Sequence, residues 1–394
     1  MSNVPLFLHD NLEKYFYNRN EEVKRINYLL NSLNESIAQQ LLLVGYRGVG
    51  KSYLLKKIKK ELPDTFLSIN IDISQIYSIN KSKMIPETIL LHFLEEINKE
   101  YLEKTGQTDK IYSKIKTHLQ KLQIKDFDFS QSTKISEIPI PKTQDNYEKL
   151  SKFVMNLPQK IVDENENING FIIFIDEFQL LRKLENPDSF FWLIRSFNQN
   201  QHNVSYVFTG SISKTSDIIE SLNGETGAFG GRLIQISINP FTKEETRNYF
   251  KDRLNDITFT DDGFDRFYEC TRGIPLYINS FYNVLSQNEV YDEDKIKKTF
   301  ILNMEQILWK ISRIWGSLND YEKEIVEILL DNKELTWTET YNKLSFTRNT
   351  FNKYLEDLRN KGIIEYKNKQ YYLADKMLIT WLKHEKDVNG FYPS

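Results

Sequence analysis

Short unbroken apolar runs alternate along this chain with longer stretches in which apolar residues recur every three or four positions. Leu41-Leu-Leu-Val44, Phe171-Ile-Ile-Phe-Ile175 and Val204-Ser-Tyr-Val-Phe208 have the length and continuity of strands buried on both faces. Phe66–Ile73 alternates and is rich in β-branched residues, and Leu233–Ile238 is a plausible last strand stopped by Pro240. Between them, Asn11–Asn34 has helical spacing at Val23, Ile26, Leu29 and Leu30. Tyr53–Leu62 and Pro187–Asn198 have it too. Strands alternating with helices predict an α/β fold, a parallel sheet covered by helices on both faces.

Between Ser74 and Asn169 the chain is Lys/Glu-rich and mostly helical in pattern, and Asp126–Thr143 reads as an extended loop or insertion. From Lys243 the strand pattern gives way to helices through about Leu308. Beyond Ser317, Asp320–Asn332, Thr336–Leu344 and Thr347–Lys361 read as three helices. A hairpin of Ile363–Tyr366 and Tyr371–Leu373 around Lys367–Gln370 follows, then a helix over Lys376–Leu382. That order is the outline of a winged helix. The expected division is a core over 1–242 with a helical insertion at about 75–168, helices over 243–316, and a winged-helix domain over 317–394.

The segment between the first strand and its helix, Gly45-Tyr46-Arg47-Gly48-Val49-Gly50-Lys51-Ser52, fits G-x-x-x-x-G-K-[ST] in full and leads into Tyr53. Its glycines let successive backbone N–H groups turn inward on phosphate oxygens, and the helix start adds partial positive charge. Lys51 reaches the β- and γ-phosphates, and the Ser52 hydroxyl is a ligand for Mg²⁺. Arg47 faces either phosphate or solvent. Asp176 and Glu177 follow five apolar residues, at the carboxyl edge of the sheet where ligands of open α/β folds bind. Acids are common at strand ends; here their pairing with the phosphate loop assigns Asp176 to Mg²⁺ and Glu177 to the attacking water. Thr209 and Ser211, past the next strand, either sense the γ-phosphate or simply form a turn. Arg232 is either a surface residue or a charge that stabilises the transition state, in cis or across a subunit interface. Gly273-Ile-Pro275 is either a contact to base or sugar or a plain interhelix turn.

Composition narrows the setting. Hydrophobic residues at 40% and charged residues at 27%, over 394 residues, are those of globular domains with cores of their own. No run approaches a membrane span, and Met1–Asp10 lacks the features of a signal peptide. One cysteine excludes an internal disulfide, and the five histidines have no metal-ligand spacing, so a cytoplasmic protein is expected. The net charge of −3 points to no polyanion partner overall. Locally, Lys343 to Lys369 holds seven Lys/Arg against three acids. The third helix of the winged helix would present Thr347, Arg348, Asn349, Asn352 and Lys353 to a groove, with Lys367 and Lys369 on the wing. Winged helices also dock proteins, and both roles stay open.

Taken together, Phe16-Tyr-Asn-Arg19 with Glu22, GYRGVGKS, FIIFIDEFQLL (171–181), TGS (209–211), GAFGGR (227–232) with NPF (239–241), and RGIP (272–275) resemble the archaeal-type P-loop ATPases of the STAND/AAA+ assemblage. These are relatives of the archaeal origin-recognition initiators. The resemblance implies a P-loop NTPase core, a helical lid and a C-terminal winged helix, with ATP and Mg²⁺ as ligands. By position it puts Arg19 near the base, Ser211 as sensor, Arg232 as the finger-like arginine and Pro275 as the lid contact. It departs in the long stretch before Phe171 and in offering Arg272 where a helix-borne sensor arginine is expected. The implied activity is slow ATP hydrolysis driving a switch. The alternatives are a DNA-binding initiator or regulator, and a nucleotide-holding protein-interaction module. Duplex DNA, self-association or a protein partner are the possible companions, with no membrane.

Overall fold

The computed structural model describes residues 4–79, 84–105, 147–211 and 217–393. Asp126–Thr143 lies outside them. Five strands, β1 (Leu41–Val44), β2 (Phe66–Asp72), β3 (Gly170–Asp176), β4 (Val204–Gly210) and β5 (Ile234–Ser237), form one parallel sheet in the order β2-β3-β4-β1-β5. Side chains of β3 alternate between two apolar clusters. Phe171, Ile173 and Ile175 point into one, with the helices Pro86–Thr105, Tyr147–Asp163 and Pro187–Asn198. Ile172 and Phe174 point into the other, with Asn20–Asn31 and Lys51–Glu61. Both faces are thus dry, which is why these strands read as continuous apolar runs.

The expected helix over Asn11–Asn34 is corrected to two, Leu12–Tyr15 and Asn20–Asn31. The break lies at Asn18 and Arg19, whose φ values of 60° and 70° are left-handed and incompatible with a continuous helix. A 3₁₀ turn over Ser32–Glu35 then leads to β1.

Lid-side helices run over Lys243–Arg253, Asp261–Thr271, Pro275–Tyr282, Glu293–Leu302, Met304–Ile307 and Trp309–Gly316. A small parallel pair, β6 (Thr258–Phe259) with β7 (Val290–Tyr291), is added to the helical pattern expected there. The last part is a winged helix: Asp320–Asn332, Trp337–Tyr341 and Arg348–Asn360 against a sheet ordered β8-β10-β9. Here β8 is Glu334–Thr336, β9 is Ile364–Lys367 and β10 is Gln370–Leu373. Thr336, expected to open a helix, ends β8 and caps the helix after it, accepting from the Glu339 N–H. The wing turns at Asn368 and Lys369, both left-handed, so Lys367 pairs directly with Gln370. The closing helix runs from Lys376 to Asn389, longer than expected.

One apolar cluster runs unbroken from Phe241 through Phe267, Ile311 and Trp315 to Ile325, Phe351 and Leu382. Lid helices and winged helix are therefore packed as one body. Trp315 is 1% exposed, and its Nε1 donates to the Pro393 carbonyl at 2.7 Å. Trp315→Ala should cost about 3–5 kcal/mol of stability in chemical denaturation. Fluorescence and circular dichroism should report the lid and winged helix melting in the same transition.

Candidate functional site

The phosphate loop leaves the carboxyl end of β1, between the ends of β4 and β5. Gly45 abuts β5 so closely that a Cβ would lie 2.3 Å from the Ile238 carbonyl oxygen, which admits only glycine. Gly50, at φ 96°, caps the Lys51–Glu61 helix, aiming its first N–H groups at the loop. Lys51 Nζ donates to the carbonyls of Gly45 and Tyr46 at 2.9 and 3.0 Å. Burial lowers its pKa from 10.5 to about 8, opposed by the negative charges of Glu177 and Asp176.

Across the sheet, Asp176 ends β3. Its Oδ1 accepts from the Thr209 hydroxyl and, at 2.9 Å, from the Glu177 N–H. Burial holds this carboxyl above its ordinary value, in spite of the Thr209 hydrogen bond. Glu177 is left-handed, at φ 53°, so its side chain turns back over the strand ends. Its Oε1 accepts from the Ser211 hydroxyl at 3.1 Å, and its Oε2 accepts from the Gln179 amide. The two polar residues at the end of β4 therefore each hold one acid.

Lys51, Ser52, Asp176, Glu177 and Ser211 line one cleft of about 290 Å³, together with Arg47, Gly48, Val49, Gly50 and Tyr53. Its lid side is Pro275, Leu276 and Asn279, and the Leu276 N–H donates to the Gly48 carbonyl at 3.2 Å. Gly45 lies at the root of the loop, while Tyr46 faces a second cleft against the winged helix. A segment with no signal in the sequence, Pro5–Leu8, closes another side. It is tied down by Tyr53, whose hydroxyl donates to the Phe7 carbonyl and accepts from the His9 N–H, each at 3.0 Å.

Arg19 lines this cleft, but its guanidinium is a strut. Nη2 donates to the carbonyls of Val49 and Asn239, Nη1 pairs with Glu22 at 3.3 Å, and the group lies over the Phe241 ring. It braces the phosphate loop against the end of β5. Arg232 is not brought to the cleft. It is exposed, and its guanidinium donates to the Phe229 carbonyl at 3.5 Å. Arg272 lines the second cleft instead of the first.

Two further residues belong to the site and were not foreseen. Gln179, 7% exposed, grips Glu177; its only sequence signal is a polar residue inside the run FIIFIDEFQLL. Lys310, from the helix Trp309–Gly316, reaches the cleft from more than a hundred residues beyond the acids, with no motif around it.

A hard cation fits the donor set. The Ser52 hydroxyl and the Asp176 carboxylate share the cleft, and both protein hydrogen bonds to Asp176 fall on Oδ1. Among the described residues no group of three or more His, Cys, Asp or Glu could hold a metal ion. No helix among them is long and apolar enough to cross a membrane.

In the winged helix, Arg348, Asn349, Asn352 and Lys353 are exposed on the first half of the third helix, and Lys367 and Lys369 are exposed on the wing. Asn352 Oδ1 accepts from Trp337 Nε1 at 2.9 Å, and the Arg348 guanidinium lies 5.0 Å over the Trp337 ring. The helix buries Phe351, Leu355 and Leu358 on its apolar face, and its Asp357 pairs with Lys183 at 2.9 Å.

A parallel sheet with a complete phosphate loop on its central strand, an acidic pair two strands away, helices closing over both and a winged helix behind them define a P-loop ATPase fold. Residues 16–281 match the ATPase domain family found predominantly in Archaea, and the chain belongs to that family. Residues 318–365 match a winged helix-turn-helix DNA-binding family. No curated protein matches the chain in sequence. Among solved structures, the Walker-type ATPase PABY2304 of Pyrococcus abyssi is 19% identical with a TM-score of 0.58, over 96% of this chain and 99% of that one, a likeness of fold. The Aeropyrum pernix ORC1 protein, solved in complex with DNA, is 13% identical with a TM-score of 0.49, over 97% and 96%. The ADP form of the Aeropyrum pernix ORC2 protein is 11% identical with a TM-score of 0.48, over 98% and 96%.

A polyphosphate beside Lys51 favours the ammonium and raises its pKa above the value of about 8 it has in the free protein. Between those two values binding takes up protons, so affinity for Mg–ATP should fall as pH rises from about 8 to about 10. Calorimetry in buffers of different ionisation enthalpy should show net proton uptake across that window and none at pH values well below it.

Proposed function

We propose that this protein is an ATP-hydrolysing switch whose nucleotide state is transmitted through the lid to the winged helix. The observation that carries the reading is the convergence of Lys51, Ser52, Asp176 and Glu177 with lid residues Pro275 and Leu276 on one cleft. In this reading the amides of Gly45 to Tyr53 and the Lys51 ammonium hold the phosphates, and Pro275 packs against the nucleoside. Mg²⁺, held by Ser52 and Asp176, would neutralise charge on the β- and γ-phosphates. Glu177 orients the attacking water and takes its proton, while Ser211 and Gln179 fix which way that carboxylate points. Thr209 does the same for Asp176.

Arg232, away from its own chain's cleft, acts on the site of a second copy. The working division is a core over 1–242, a lid over 243–316 and a winged helix over 317–394, with the last two moving together because they share one apolar cluster. Glu177→Gln should keep ATP affinity within about threefold and lower turnover at least a hundredfold, roughly 3 kcal/mol of transition-state stabilisation. Equal turnover in phosphate-release assays would remove Glu177 from the mechanism.

A second element of the proposal is that the winged helix binds duplex DNA. The open first half of its third helix and the two wing lysines support this, with Arg348, Asn349, Asn352, Lys353, Lys367 and Lys369 as contacts. Removing two phosphate contacts with Arg348→Ala/Lys353→Ala should weaken binding and reduce the log–log salt slope by roughly 2. Binding indistinguishable from wild type in anisotropy titrations would point instead to a protein partner.

A further inference from the structure

Lys310 is charged and half-buried. It sits near the start of the helix Trp309–Gly316, in the segment that joins the lid to the winged helix. Its side chain lines the nucleotide cleft beside Lys51, Asp176 and Glu177. Among the described residues it makes no hydrogen bond or ion pair. The nearby acids are bonded elsewhere: Glu177 accepts from Ser211 and Gln179, and Oδ1 of Asp176 accepts from Thr209 and the Glu177 N–H. Burial and the positive charge of Arg47 lower its pKa from 10.5 to about 8, with partial relief from Glu177. Such an ammonium shares its cleft with acids to which it makes no direct bond, and a multivalent anion bound there would give it one.

We infer that Lys310 reads the terminal phosphate of the bound nucleoside triphosphate and so makes the position of the lid and winged helix depend on whether that phosphate is present. The inference rests on the reading of the cleft as a nucleotide site and adds to it the residue that distinguishes triphosphate from diphosphate. Its neighbours favour the terminal phosphate. It shares the cleft with Glu177, which in the reading above orients the water that attacks that phosphate, and with Arg47. Lys51, the loop residue that reaches the β- and γ-phosphates in that reading, lines the same cleft.

The same helix gives the contact its consequence. Ile311 and Trp315, one turn apart on its other side, are each 1% exposed in the cluster shared by lid and winged helix. Trp315 packs edge-on against Trp381 of the closing helix, with ring centroids 6.4 Å apart. A pull on Lys310 is therefore a pull on a rigid body, not on a free side chain. The differential contact needed for a switch is one charge-assisted bond, made to ATP and not to ADP.

The full-length chain should be titrated with Mg–ATP and Mg–ADP as wild type, Lys310→Met and Lys310→Arg. The wild type should prefer ATP. Lys310→Met should weaken ATP roughly tenfold and leave ADP within about twofold, the scale of one hydrogen bond to a charged group. Lys310→Arg should keep the preference. Hydrogen exchange in Trp309–Gly316 should slow more with ATP than with ADP in the wild type, and equally in Lys310→Met. Methionine matches the lysine stem without its charge, so the nucleotide-free melting temperature should not drop, and the comparison is made on folded protein. An unchanged ATP-to-ADP ratio in Lys310→Met, equal weakening of both nucleotides, or loss of discrimination in Lys310→Arg would overturn the inference while leaving the nucleotide site standing. Absence of any nucleotide binding by the wild type would overturn both.

Discussion

The ammonium of Lys51 is held almost out of water, caged by two loop carbonyls on one side and facing two carboxylates on the other. Such a charge is costly to bury unless an anion completes its surroundings. The rest of the molecule serves that arrangement. The dry sheet fixes the end of β1 two strands from the end of β3, so the cation and the acids face each other across β4. Thr209 and Ser211, at the end of β4, then lock each acid in place. Arg19 ties the loop to β5 from behind, and Leu276 ties it to the lid from above.

The lid and winged helix approach the same point by separate routes. One is the phosphate loop itself, through the Leu276 N–H and Gly48 carbonyl. A second is Lys310, on the connecting helix. The third starts at Phe178–Lys183, the segment following Glu177, whose Lys183 pairs with Asp357 on the third helix of the winged helix. That pair joins the segment after the acids directly to the third helix of the winged helix. A single apolar cluster unites lid and winged helix, so all three contacts fall on one packed body.

Much of this was legible in the residue order, for physical reasons. Strands buried on both faces must be continuously apolar, so β1, β3 and β4 announced themselves. A phosphate nest needs glycines at fixed offsets, so the loop did too. What stayed hidden depends on tertiary contacts with no local period. The break at Asn18–Arg19 falls inside a helical spacing, because the apolar pattern records which face is buried and not where the backbone turns. Gln179 looks like a polar slip in an apolar run until its amide is seen on Glu177. Lys310 is one lysine among many, and only the packing of Trp315 aims it at the cleft. Strand β8 has three residues, too few for alternation to register.

The most direct test of the central claim is isothermal titration of Mg–ATP into the wild-type protein and into Lys51→Met. The account predicts one site per chain in the wild type and at least a hundredfold weaker binding once the caged ammonium is replaced by an apolar stem of the same length. Equal affinity in the two proteins would contradict it.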